Sequence, residues 1–215
     1  MMVDKFDQLK AILPDVSRET FDNLIAFEEL VLKWQAKINL VANNAISELW
    51  QRHILDSVQL YQYGLGANQW FDIGSGGGFP GIILAILMKQ QGQGEICLIE
   101  SNSKKCAFLN TAIAHLDLPA KVYNDRIENS SLVQQAPDII SARALASLTE
   151  LFGLCQNWLA KPSTYALFQK GKNYKDEILE AQLLWSFDVE VFQSVIDKDS
   201  VILKISNLFP LTKEA

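Results

Sequence analysis

Cysteine and histidine are scarce: the 215 residues hold three cysteines (Cys97, Cys106, Cys155) and two histidines, His53 and His115. With no Cys-x-x-Cys pair, neither a disulfide framework nor a zinc site is expected, and no metal is assigned. The free thiols fit a reducing, cytoplasmic setting. Long apolar runs are missing as well. Stretches such as Gly81 to Met88 fall far short of the roughly 20 residues a membrane helix needs, so no membrane contact is expected. The opening Met1-Met2-Val3-Asp4-Lys5-Phe6-Asp7 lacks the continuous apolar segment and small-residue cleavage site of an export leader. Repeats and low-complexity segments are absent too. What remains is ordinary for a compact protein: 49% hydrophobic, 20% charged and 10% aromatic residues exclude disordered, collagen-like and coiled-coil chains.

The net charge of −6 argues against a polyanionic partner, but it is unevenly spread. Residues 1–66 carry six basic and nine acidic side chains, residues 67–175 ten and eight, and residues 176–215 three and eight. The middle is the basic part, and residues 104–175 alone have a surplus of four cations.

The first third reads as helices over 4–13, 17–39 and about 45–61, the second capped by Ser17 and amphipathic through Phe21, Leu24, Ile25, Phe27, Leu30, Val31 and Trp34. From residue 70 the pattern changes. Short β-rich runs at 70–73, 95–99, 121–124, 138–142, 164–169, 189–195 and 201–205 alternate with helical stretches at 80–90, 104–116, 148–160 and 173–185. Such alternation predicts an α/β fold with a seven-stranded, mostly parallel sheet covered on both faces, closed by a hairpin that makes one late strand antiparallel. Residues 1–66 are expected as an N-terminal helical extension packed on a core formed by 67–215.

The stretch Trp70-Phe71-Asp72-Ile73-Gly74-Ser75-Gly76-Gly77-Gly78-Phe79-Pro80-Gly81 runs from a strand through a glycine-rich turn into an apolar helix. Glycines at the first crossover of such a sheet allow a tight turn and let a nucleotide-like ligand lie against backbone. A dinucleotide fingerprint wants glycine at 74, 76 and 79, yet 79 is Phe, and the order is Asp-x-Gly-x-Gly-x-Gly through Asp72, Gly74, Gly76 and Gly78. This favours S-adenosylmethionine, whose sulfonium suits a nearby acid such as Asp72. Glu100, closing the next strand, is placed to accept from ribose hydroxyls. A ligand-free surface turn and a solvated Glu100 are the plain alternatives. Lys104 and Lys105 open the next helix against its dipole, and with Arg126, Lys170 and Lys172 they suggest a phosphate-binding rim for RNA on the carboxyl edge of the sheet; a solvated lysine pair is the alternative.

Arg143 ends the strand Asp138-Ile139-Ile140-Ser141-Ala142-Arg143, facing the cleft, where a core-edge ion pair is the alternative. An Asn-Pro-Pro-Tyr segment for adenine amino groups and a Pro-Cys nucleophile for cytosine C5 are both missing. Together Asn39-Leu40, Arg52-His53-Ile54-Leu55-Asp56-Ser57, the glycine turn, Arg126-Ile127-Glu128, Ser141-Ala142-Arg143-Ala144 and Lys170-Gly171 resemble, in order and over nearly the whole chain, the glucose-inhibited division protein B family. That resemblance implies a Rossmann-like class I S-adenosylmethionine-dependent methyltransferase acting on N7 of one guanine (guanine 527) of 16S rRNA in the small ribosomal subunit or an assembly intermediate. It also implies that Gly74 and Phe79 line the cofactor pocket, Ile127 and Glu128 meet the adenine, and Arg143 borders the cofactor beside the substrate opening, with His53 and Asp56 as orienting groups. Gly77 stands where members often carry Ala or Pro, a change expected to loosen the turn. Phe79 and Arg143 are candidate platforms for a splayed base. A monomer is expected, dependent on a structured particle and inhibited by salt. A small-molecule methyltransferase of the same fold and a non-catalytic RNA-binding assembly factor are the competing readings.

Overall fold

The computed structural model describes residues 4–211. Helices α1 (Lys5–Ile12) and α2 (Arg18–Gln35) open the chain. Ser17 caps α2 by accepting from Thr20 N at 3.0 Å, while Thr20 Oγ1 and Ser17 N both donate to Gln90 Oε1 and tie the helix to the core. The third expected helix is not continuous. A 3-10 turn (Asn43–Glu48) leads into a π-helical stretch (Trp50–Leu55), a single α turn α3 (Asp56–Val58) and another 3-10 turn (Tyr61–Tyr63). Ser57 Oγ donates to His53 O at 2.6 Å, supplying a side-chain partner to a backbone carbonyl in the widened turn.

Seven strands follow: β1 (Gln69–Ile73), β2 (Glu95–Ile99), β3 (Ala120–Tyr123), β4 (Ile139–Arg143), β5 (Tyr165–Lys170), β6 (Trp185–Gln193) and β7 (Val201–Pro210). Between the strands lie α4 (Gly81–Gln91), α5 (Ser103–Leu116), α6 (Leu148–Leu159) and α7 (Tyr174–Gln182). The sheet order is β3-β2-β1-β4-β5-β7-β6, with β7 antiparallel to both neighbours and the other pairings parallel. Strand β6 begins at Trp185 rather than Val189, because Trp185, Phe187 and Val189 alternate inward with exposed Ser186, Asp188 and Glu190. The helix expected to reach residue 185 therefore stops at Gln182.

Successive crossovers run outward from β1 through β2 to β3, then reverse to β4 and β5, so the reversal falls between β1 and β4. In open α/β sheets a crevice opens there at the carboxyl ends of the strands. The core covers both faces. Residues 81–88 of α4 are buried all round, because the sheet lies on one side and α2, with Phe27 and Val31, on the other. Apolar side chains on either side of position 66, such as Leu24, Ile54, Trp70 and Ile83, belong to one continuous cluster. The opposite face packs Phe71, Ile140 and Phe168 against α6 through Phe152 and Trp158. Among the described residues no helix is long and apolar enough to cross a membrane.

Candidate active site

The glycine turn leaves β1 at its carboxyl end with Gly74, Gly76 and Gly78 at φ +66°, +54° and +87°, a region where L side chains are strained. A Cβ at Gly74 would lie 2.6 Å from Leu145 Cδ1, so glycine there is a matter of space as well as conformation. Gly74 and Gly76 line a cleft of about 330 Å³ together with Ile99, Glu100, Ser101, Lys105, Asp125, Arg126, Ile127, Glu128, Ala144, Leu145 and Leu154. Glu100 is the anchor of this wall. Its Oε2 accepts from Gly76 N at 2.9 Å and its Oε1 from Asn102 N at 2.7 Å, so the carboxylate fixes the turn and the entry to α5 at once. Asn102 in turn caps α5 by accepting from Lys104 N and Lys105 N.

Other expected members of this wall lie elsewhere. Asp72 is fully buried beneath the turn; Ser141 Oγ donates to its Oδ1 at 2.7 Å, and burial pushes its carboxyl up to about 6. It supports the turn from below instead of facing a ligand. Gly78 packs on Ile82 and Phe27. Phe79, also buried, is held between Phe27 (ring centroids 5.4 Å apart) and the pair His53 and Arg143, at 5.2 and 5.3 Å, so its ring carries the site from behind and is no platform for a base. At Gly77 a Cβ would come within 2.8 Å of Leu40 O, so glycine there admits the backbone of the N-terminal segment.

A second, larger cleft of about 810 Å³ lies on the other side of Ala144, which lines both. Ala144 itself has φ +52°, a strained setting for a residue with a side chain. Arg143, at the end of β4, organises this cleft. Its guanidinium donates to Arg52 O at 3.0 Å, meets His53 Nδ1 and pairs with Asp56 Oδ2 at 3.5 Å. Burial, then the charges of Arg143 and Arg52, lower His53 to about 4, so its ring is neutral at pH 7. Asp56 is pushed up by burial and back down by Arg143 and Gln59. Amide groups complete its surroundings: Gln59 Nε2 donates to Oδ1 and Gln169 Nε2 to Oδ2, each at 2.6 Å. Gln59 also receives Val195 N and donates to Ser194 Oγ, binding the β6–β7 hairpin loop to the cleft wall.

The cationic residues divide. Lys104 and Lys172 are exposed, whereas Lys105 and Arg126 border the smaller cleft. Lys170 is not a free cation: its buried ammonium pairs with Glu177 and donates to Ala146 O, both at 2.7 Å. Among the described residues, no three His, Cys, Asp or Glu side chains are placed to hold a metal.

The model of the family described as rRNA small subunit methyltransferase G matches residues 20–203. The chain belongs to that family. Proteins of the same description from Brucella anthropi and Brucella ovis are 53% and 52% identical over 204 residues, 95% of each chain. Membership in the methyltransferase G family makes the chain an S-adenosylmethionine-dependent rRNA methyltransferase. Solved structures agree on the fold alone. The S-adenosylhomocysteine-bound methyltransferase PaMTH1 of Podospora anserina superposes with TM-score 0.61 at 12% identity over 86% of this chain and 87% of its own. For an O-methyltransferase of Klebsiella pneumoniae the values are 0.57, 14%, 94% and 95%.

Residues that the sequence pattern does not single out also line the two clefts: Leu145, Gln59, Gln169 and the loop from Ser194 to Ser200. Gln59 and Gln169 did leave a trace, as polar side chains inside the apolar runs Val58-Gln59-Leu60 and Leu167-Phe168-Gln169. Leu145 and the loop left none.

Proposed function

We propose that this methyltransferase transfers the methyl group of S-adenosylmethionine to N7 of one guanine of 16S rRNA, in the small ribosomal subunit or an assembly intermediate, acting in the cytoplasm as a monomer. The observation that carries this is the meeting of two clefts at Ala144, one lined by a glycine turn and Glu100, the other by neutral His53 and Arg143.

The smaller cleft suits an adenosyl group. Positive-φ glycines give close backbone approach, the remaining acceptor capacity of Glu100 suits ribose hydroxyls, and Ile127 offers an apolar face for a purine beside Glu128. S-adenosylmethionine brings an electrophilic methyl on a sulfonium. The chain has little proton chemistry to perform, because guanine N7 carries a free lone pair at neutral pH. Its task is positioning, together with an electrostatic setting matched to positive charge moving onto the purine. His53, uncharged and held against Arg143, orients without adding a second cation, and Arg143 borders the base one residue before Ala144, where the two clefts meet. Lys104 and Lys172, with Lys105 and Arg126 toward the cleft, hold RNA phosphates. The acidic remainder makes affinity for bare RNA weak, so a structured particle is required.

The test incubates the enzyme and radiolabelled S-adenosylmethionine with small subunits from cells lacking the modification, then cleaves the RNA at N7-methylguanine with borohydride and aniline. One new cut is expected. Label in the RNA without such a cut overturns the choice of atom.

A further inference from the structure

We propose that Asp56 reads the target base as guanine, accepting a hydrogen bond from its N1–H edge. The inference rests on the reading above, that guanine N7 is the methyl acceptor. With N7 turned toward Ala144 and the smaller cleft, the opposite edge of the purine points into the larger cleft. Guanine presents two donors there, N1–H and the 2-amino group; adenine presents an unprotonated N1 and no 2-amino group. An acceptor-only group therefore separates the two.

Asp56 is built as such a group. Its side chain is 16% exposed, lines the cleft and is immobilised on both oxygens. The immobilising partners are amides: Gln59 Nε2 on Oδ1, Gln169 Nε2 on Oδ2, with the Arg143 guanidinium at 3.5 Å. An ion pair with Arg143 needs neither glutamine. Gln169 directs its donors to Asp56 Oδ2 and Asp56 O, while its Oε1 is left buried without a partner, so the amide is arranged for the carboxylate and not for its own satisfaction. A carboxylate has about four acceptor directions. Those the amides and Arg143 leave free serve the base. Three other carboxylates line this cleft: half-exposed Glu48 is paired with Arg52, Glu177 is paired with Lys170, and Asp197 accepts from Asp199 N and Ser200 Oγ of its own loop.

The test compares wild type with D56N and D56S on small subunits carrying guanine or adenine at the modified position, scored as the guanine-to-adenine ratio of single-turnover rates. Wild type must first yield N7-methylguanine on native subunits; failure there overturns the function reading and this one with it. Given that product, D56N is expected to lose about 100-fold on guanine, because a donor now meets N1–H, while its ratio falls at least tenfold since an amide can donate to adenine N1. D56S, which lacks the competing amide, keeps the loss on guanine. Melting temperature and cofactor affinity identify any variant that has misfolded, and D56S supplies the ratio if D56N does so. A ratio unchanged from wild type in a folded variant overturns the proposal and leaves the function reading standing.

Discussion

The smaller cleft depends on a backbone turn, the larger on a network of side chains. Gly74 and Gly76 shape the first through φ and the absence of Cβ, with Glu100 holding the turn by its backbone N–H. Arg143, His53, Asp56, Gln59 and Gln169 shape the second, drawn from the π-helical segment, α3 and its exit, β4 and β5 and closed by the hairpin loop. A backbone cradle fits one ligand chemistry and depends on a few positions having no side chain. A side-chain network can be retuned residue by residue, which suits the part of a methyltransferase that selects its substrate.

That difference is open to attack in order of expected effect. R143A removes the shared partner of Asp56 and His53, leaving a buried carboxylate uncompensated; a fall in methylation rate of about 1,000-fold is expected, and R143K recovers little of it because the planar fork is lost. G74A attacks the other cleft. Positive φ and the close approach of Leu145 together cost about 1–3 kcal/mol, so cofactor affinity by calorimetry should drop roughly 5- to 150-fold, whereas G76A, with more open space at its Cβ, is strained by φ alone and loses less.

Acid titration separates the clefts more gently. His53 sits near 4 when folded against an ordinary 6.5, so the unfolded chain takes up a proton first and stability is lost as pH falls from 6.5 toward 4. Asp72 has the opposite sign: raised from 3.8 to about 6, it contributes stability below 3.8 that is lost as pH rises through 6. Thermal melts should therefore show H53N flattening the acid-side loss, and D72N melting higher relative to wild type at pH 7 than at pH 4. Smallest are the rim charges. K104E and K172E should leave cofactor affinity unchanged and lower the salt dependence of subunit binding by about 0.7–0.9 in log–log slope for each phosphate no longer neutralised. K170M should instead lower the melting temperature, since it leaves Glu177 with the Leu148 N–H but without its countercharge.

The two clefts also differ in how far the sequence announces them. The glycine-turn wall was legible because its signal is contiguous: Gly74 to Gly78 is one turn, and Glu100 closes the next strand. The mostly parallel sheet and its lone antiparallel strand followed from alternation and a short final connection. Asp72 and Phe79 show the limit of that reading, for a residue within a motif can serve it from beneath. The wall of the larger cleft spreads over residues 42 to 202, and the π-helical turn that carries His53 and leads into Asp56 has no periodicity to betray it. Lys170 read as an exposed cation because Glu177, its partner, comes from the following helix.

The most direct test of the division into two clefts is a crystal structure with S-adenosylhomocysteine. The account predicts the adenine on Ile127, the ribose hydroxyls on Glu100 and the amino-acid tail along Gly74 to Gly76, with the larger cleft free. A nucleoside seated instead among His53, Asp56 and Arg143 would contradict it.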